Sequence, residues 1–243
     1  MNAIETKGLT KQYKDVTAVD SLDLAVASGE LFALLGVNGA GKTTTIKMLS
    51  CLTAPTSGTA SVNGHDVTSD SAAVKREIAI SPQESAVAPG LTAAENLELM
   101  CGVHGFDKAK SKAKIAEMLD TFDLRKVEKK KAGKLSGGMQ RRLSIAMALV
   151  PEPSVLYLDE PTLGLDVIAR ADLWDAIRAL RGKVTIILTT HYMEEAEALS
   201  DRVGIMRDGH LLTVGTADEI KAATGCDKFE DAFVSIVRGG EAK

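Results

Sequence analysis

Nothing in this chain is long and apolar enough to cross a bilayer: no run approaches the roughly 18–20 residues that a spanning helix needs. The amino terminus, Met1-Asn2-Ala3-Ile4-Glu5, has no basic stretch ahead of an apolar one, so no signal peptide is visible. The myristoylation pattern is absent too. Basic charge is in deficit. Asp and Glu number 33 against 29 Lys and Arg, for a net charge of −4. A chain built mainly to coat nucleic acid leans the other way. Cysteine is sparse, at Cys51, Cys101 and Cys226, with no C-x-x-C pair. That excludes a zinc site or disulfide framework of the usual spacing and fits inert thiols in a reducing cytoplasm. Internal repeats and low-complexity segments are also missing. What is there is ordinary for a soluble globular protein: 45% hydrophobic and 26% charged residues over 243 positions, which rules out disorder as the main state. The length suits one large domain or two small lobes around a sizeable core. Work at a membrane would require something else to hold the chain there.

Four short apolar runs, 31–35, 154–158, 184–188 and 202–206, read as buried strands. Each is bounded by Gly, Pro or charged residues, and the first three lead towards polar or helical sequence. That pattern predicts an α/β fold with a mainly parallel sheet. Residues 2–30 alternate more and hold Gly and Asp turns, which predicts an antiparallel β piece at one edge. Asn63-Gly64 marks a hairpin within 58–64. Over 92–150 the period becomes helical. Ala93, Leu97 and Met100 fall at helical spacing, as do Met139, Leu143, Ala146, Met147 and Val150, before Pro151 and Pro153 stop the helix. The expected organisation is an α/β lobe from 1–84 and 151–220, with a helical lobe inserted at 85–150. A carboxyl-terminal helix and tail follow at 221–243, where Phe229, Phe233, Ile236 and Val237 share one helical face. The charge run from Arg125 to Lys131 reads as a solvated loop.

Gly36-Val37-Asn38-Gly39-Ala40-Gly41-Lys42-Thr43 fits G-x-x-x-x-G-K-[ST] without a mismatch, between a strand and an apolar helical stretch. Glycines let backbone N–H groups turn inward around phosphate oxygens, and the helix start adds its positive dipole end. Lys42 can reach the outer phosphates, the Thr43 hydroxyl can ligate Mg²⁺, and Thr44 can donate to a nearer phosphate. The strand at 154–158 runs into Asp159-Glu160. An acid at the carboxyl end of a parallel strand faces the ligand crevice. Asp159 is the candidate for the Mg²⁺ shell and Glu160 for the residue that orients or deprotonates the attacking water. Leu135-Ser136-Gly137-Gly138-Met139-Gln140-Arg141-Arg142 opens the helix that ends before Pro151. Ser136 is its candidate N-cap, and two glycines allow close backbone approach to a second anion. Taken alone, Tyr13 reads as a half-buried strand tyrosine, Gln83 as a surface glutamine and His191 as a helix-start histidine. Their order along the chain lifts them above that.

With these motifs in this order, the chain resembles the ATP-binding subunit of an ABC transporter over nearly its whole length. The resemblance implies a P-loop NTPase core in which Gly36 to Thr44 form the Walker A segment, including Asn38, Gly39, Ala40 and Gly41. It implies adenine stacking by Tyr13, a metal- and water-contacting role for Gln83, and Walker B at Asp159 and Glu160. Ser136, Gly137 and Gly138 match the signature, Gly164-Leu165-Asp166 the D-loop and His191 the switch histidine. Met139 stands where the commonest signature has Gln, and Leu163 where the D-loop usually has a small or polar residue. The Met form followed by basic residues is similar to the branch that drives type-two exporters. It further implies ATP and Mg²⁺ as cofactors, and a second ATPase subunit, in a homodimer or a heterodimer with a similar chain, sandwiching two ATP head to tail. It implies membrane-spanning permease subunits near Gln83 and residues 84–99, no nucleic acid, and a place at the cytoplasmic face of the membrane. The carboxyl end is expected to be too short for the extra β-domain of many sugar-importer ATPases. The alternative is a soluble ABC-type ATPase acting on nucleic acid or ribosomes, against which stand the single ATPase unit and the lack of a coiled-coil or zinc insertion.

Overall fold

Two sheets with different burial rhythms organise the chain, a computed structural model that describes residues 1–239. Positions 240–243 of the expected tail lie outside the described residues. The first sheet is antiparallel, in the order β2-β1-β4-β5. It is built from β1 (Asn2–Tyr13), β2 (Val16–Ala27), β4 (Ser57–Val62) and β5 (His65–Asp66). Along β2, buried Leu22, Leu24 and Val26 alternate with exposed residues, as expected of a sheet covered on one face. The antiparallel piece is therefore not an edge of the parallel sheet. Both edges of β1 are taken, by β2 and by β4, and its buried Ile4 and Leu9 share one core with Ile46, Met48 and Leu49 of α1 (Lys42–Leu49).

The second sheet runs β10-β9-β3-β8-β7-β6. Its strands are β3 (Leu31–Gly36), β6 (Ile78–Ser81), β7 (Val155–Asp159), β8 (Thr185–Thr190), β9 (Arg202–Arg207) and β10 (His210–Gly215). All pairings are parallel except β9 with β10. Every residue of β3, β7 and β8 is buried, which is why these strands read as continuous apolar runs. Strand β6 has four residues, too few to stand out in the sequence.

Helices α2 (Ser71–Glu77), α3 (Ala93–Val103), α4 (Lys108–Thr121) and α5 (Gly137–Leu149) come before β7. Thr92 and Glu95 close a capping box at the start of α3. Leu97, Leu119, Phe122 and Leu143 from this helical stretch share one core with Leu156 and Ile186 of the sheet. Helix α6 (Val167–Arg178) precedes β8 and α7 (Met193–Leu199) follows it, and α8 (Ala217–Thr224) and α9 (Phe229–Val237) end the described chain. Phe229 and Phe233 are buried against Ala33, Leu35, Val203 and Ile205, with Ile236 and Val237 beside them. Each buried Phe contributes roughly 1.5–3 kcal/mol, enough to dock a nine-residue helix that would not persist alone. The carboxyl ends of β3, β7 and β8 meet at Gly36, Asp159 and Thr190, where an α/β sheet of this kind binds ligands.

Candidate active site

The loop from β3 to α1 can close only because glycine occupies its tight points. Gly39 and Gly41 have φ of 85° and 103°. A Cβ on Gly41 would lie 2.5 Å from the Ala18 carbonyl oxygen, and one on Gly36 2.4 Å from that of Met206. Lys42 opens α1 with its side chain folded back. Its Nζ donates to the Gly36 and Val37 carbonyls at 2.7 and 3.2 Å and lies 3.7 Å from Glu160 Oε1. Burial pushes the Lys42 ammonium below its ordinary pKa, while the carboxylates of Glu160 and Asp159 pull it back up.

Strand β7 delivers Asp159 beneath this loop. Thr43 Oγ1 donates towards both Asp159 carboxylate oxygens at 3.2 Å, and Thr189 Oγ1 donates to Oδ1 at 2.5 Å. At Glu160 the chain leaves the strand with φ of 45°. A left-handed conformation costs a non-glycine residue roughly 1–2 kcal/mol. It is held by the Glu160 N–H donating to the Thr189 carbonyl at 3.0 Å. His191 Nδ1 lies 3.2 Å from Glu160 Oε2. The contact lacks hydrogen-bond geometry, and among the described residues Nδ1 has no other partner.

These residues surround a cleft of about 590 Å³, lined by the loop from Asn38 to Thr44 with Tyr13, Gln83, Glu160 and His191. Tyr13 is 45% exposed at its mouth, with Lys11 Nζ 5.0 Å from the ring centre. Gly36 and Asp159 lie under the loop rather than on the cleft wall. Ser136, Gly137, Gly138 and Asp166 do not line the cleft at all. Ser136 caps α5, accepting from the Met139 N–H at 3.3 Å, and Asp166 caps α6, accepting from Ala169 at 2.9 Å. A Cβ on Gly138 would stand 2.8 Å from that of Ala169, so the first turns of α5 and α6 press together there. A Cβ on the exposed Gly137 would meet only Leu165, at 4.0 Å. Among the described residues no group of three or more His, Cys, Asp or Glu could hold a metal by itself.

Three residues near the cleft hold places that the sequence does not reveal. Thr189 anchors both Asp159 and Glu160. Arg141, which the sequence shows only as a basic residue after the signature, is buried and bonded to the backbone beside Asp159 and Gln83. Glu195 is fully buried in the first turn of α7, four residues past His191, and accepts from Trp174 Nε1 at 3.2 Å. Burial raises its pKa, and the Trp174 hydrogen bond and the Arg170 charge pull the other way.

The family model described as "ABC transporter" matches residues 19–163. A daunorubicin resistance ATP-binding protein of Streptomyces coeruleorubidus is 44% identical over 229 residues, 94% of this chain and 72% of that one. The solved structure of an ATP-binding subunit of an ABC transporter superposes with a TM-score of 0.84 at 30% identity, over 96% of this chain and 99% of that one. A second, the dimeric post-hydrolysis state of the ATP-binding cassette MJ0796 bound to ADP and Pi, gives 0.77 at 27% identity, over 88% and 98%. A phosphate loop after β3, an acid pair at the end of β7 and a signature segment outside the cleft thus stand on a fold shared with ATP-binding cassettes. The chain belongs to the ABC transporter family, as the ATP-binding and ATP-hydrolysing subunit that powers such a transporter.

Proposed function

We propose that this subunit works as one half of an ATP-dependent dimer driving an exporter, each nucleotide held between the phosphate loop of one chain and the signature of the other. The observation that carries this reading is Gly137. Nothing among the described residues requires glycine there: its φ is not left-handed and a side chain would find room. The start of this helix, where N–H groups without helical partners favour an anion, lies outside the chain's own cleft. A nucleotide presented by a second copy accounts for both facts. Identity to a drug-resistance subunit supports the direction of transport. Docking to membrane-spanning permease subunits near Gln83, and so a place at the cytoplasmic face, follows from the same reading. No helix among the described residues is long and apolar enough to cross a membrane.

Within the cleft, Tyr13 stacks the base and the loop N–H groups with Lys42 and Thr44 bind the phosphates. The donor set suits Mg²⁺: Thr43, Asp159 and Gln83 offer hydroxyl, carboxylate and amide oxygens, the hard donors it takes alongside nucleotide phosphates. Bound there, the ion would neutralise charge on the phosphate oxygens. Glu160 orients the attacking water and takes its proton, and His191 stands by the terminal phosphate. The reaction is phosphoryl transfer to water, driven by positioning and charge stabilisation. Loss of the terminal phosphate then releases the dimer interface.

Mixing two dead variants tests the reading. Lys42→Ala removes the phosphate contact, and Ser136→Arg blocks the signature. A mixed dimer keeps one intact composite site, so an equimolar mixture recovers up to about a quarter of wild-type phosphate release if exchange is free. No recovery from variants that each bind or dimerise normally overturns the composite site.

A further inference from the structure

Beneath the cleft, one guanidinium ties together segments that reach it from different parts of the chain. Arg141 stands on the second turn of α5 and is 3% exposed. Among the described residues it forms no ion pair. It spends its donors on backbone carbonyls instead. Nε donates to Pro161 at 2.8 Å, Nη2 to Asp159 at 2.9 Å, and Nη1 to Gln83 at 3.2 Å and to Pro82. The planar fork suits this work, because its donors are fixed relative to one another.

The choice of partners is informative. Asp159 and Pro161 bracket Glu160, and Pro82 and Gln83 carry the loop whose glutamine lines the cleft. The fork therefore sets the spacing between the two loops that supply Glu160 and Gln83. It does so from α5, whose first turn holds Ser136 and Gly137. The arrangement has a cost. Burial drops the Arg141 pKa to about 10, with Asp159 and Glu195 offsetting only part of it. An apolar side chain in this place would carry no such penalty. A cation kept at that cost, with every bond on a catalytic loop, serves more than packing.

We propose that Arg141 is a positioning residue that makes the geometry of Glu160 and Gln83 answer to the seat of the signature helix. A displacement of the first turn of α5 by nucleotide on the partner reaches both loops through this one group. The inference rests on the reading that Glu160 and Gln83 serve hydrolysis.

Arg141→Lys keeps the charge but replaces the fork with a single nitrogen that cannot span all four carbonyls. Purified variant is measured for phosphate-release kcat per folded molecule, for the Kd of a fluorescent ATP analogue and for thermal midpoint. The expected result is a kcat at least tenfold lower with Kd within twofold. In a Gln83→Ala background the same substitution costs less than threefold further, because one of the loops it positions is already disabled. Wild-type kcat in folded Arg141→Lys overturns the proposal. So does a loss that tracks the folded fraction alone, or one that multiplies fully with Gln83→Ala. If the lysine variant does not fold, Arg141→Gln, neutral and planar, carries the same measurements and expectations. If Gln83→Ala and Glu160→Gln alone leave turnover intact, the site reading fails. If each lowers it and Arg141→Lys does not, only this inference fails.

Discussion

Glu160→Gln separates a hydrolytic motor from a passive nucleotide binder. The substitution keeps size and hydrogen-bonding capacity and leaves the backbone N–H bonded to Thr189, so the left-handed turn at this residue is undisturbed. What it removes is the carboxylate that stands 3.7 Å from Lys42 Nζ and 3.2 Å from His191 Nδ1. Loss of a positioned general base costs roughly 10²–10⁴ in rate, or about 2.7–5.5 kcal/mol of barrier. The effect on binding runs the other way. Two unit charges at the Lys42–Glu160 separation interact by on the order of 4 kcal/mol at an effective dielectric of ~20, before desolvation is subtracted. An incoming phosphate competes for Lys42 against that carboxylate in the wild type and not in the variant. Nucleotide affinity is therefore expected to be unchanged or higher, and dimer no longer undone by hydrolysis accumulates by mass action. Size-exclusion chromatography with and without Mg-ATP, beside a phosphate-release assay, reads both effects. Monomer shifting to dimer with near-zero release is the expected result. Wild-type turnover in the variant refutes the base assignment, and a dead variant that stays monomeric refutes the ATP-driven dimer.

The two signature glycines are expected to respond differently to the same change. Gly138→Ala drives a methyl to 2.8 Å from the Ala169 Cβ, an overpacking worth about 1–3 kcal/mol, and lowers the thermal midpoint by a few degrees. Gly137→Ala finds space, leaves the midpoint unchanged and reduces ATPase activity, and a normal ATPase would argue against nucleotide approach at this position. Glu195→Gln tests the buried acid by calorimetry across pH. Burial raises the folded-state pKa of Glu195, so the unfolded chain sheds this proton first and wild-type stability falls as pH rises from the unfolded value near 4.5 towards the folded one. The variant escapes that loss. Its thermal midpoint relative to wild type is expected to be higher at pH 7 than at pH 4, and a pH-independent difference would refute the linkage.

Much of the site could be read from the sequence because its chemistry is encoded in contiguous residue types. A phosphate loop needs glycine at fixed offsets, and here the reason is visible atom by atom: at Gly36 and Gly41 a Cβ would strike a backbone carbonyl. The strands β3, β7 and β8 were legible for a similar reason, since burial on both faces leaves little room for polar residues. The separate antiparallel sheet was not. Alternation announces a half-covered strand but carries no information on which sheet it joins. That depends on pairing between β1 and β4, separated by more than 40 residues.

The residues that escaped notice share one physical feature: their partners are backbone atoms or lie far along the chain. Thr189 holds the Glu160 N–H through its own carbonyl, which any residue would offer. Arg141 bonds four carbonyls, 18 to 59 residues away, and in none of these bonds does the partner's side chain take part. A motif records what a side chain does to a ligand, while a positioning side chain such as Arg141 can end on backbone carbonyls, which every residue possesses. Even Glu160 shows the division. The acid at the strand end was legible as chemistry, but the turn that aims it at Lys42 and His191 was not, because glutamate does not advertise a left-handed backbone as glycine does. The function of this chain could therefore be read from the groups proposed to hold nucleotide, whereas the proposed coupling between its signature helix and its acid emerges only where β6, β7 and α5 meet in space.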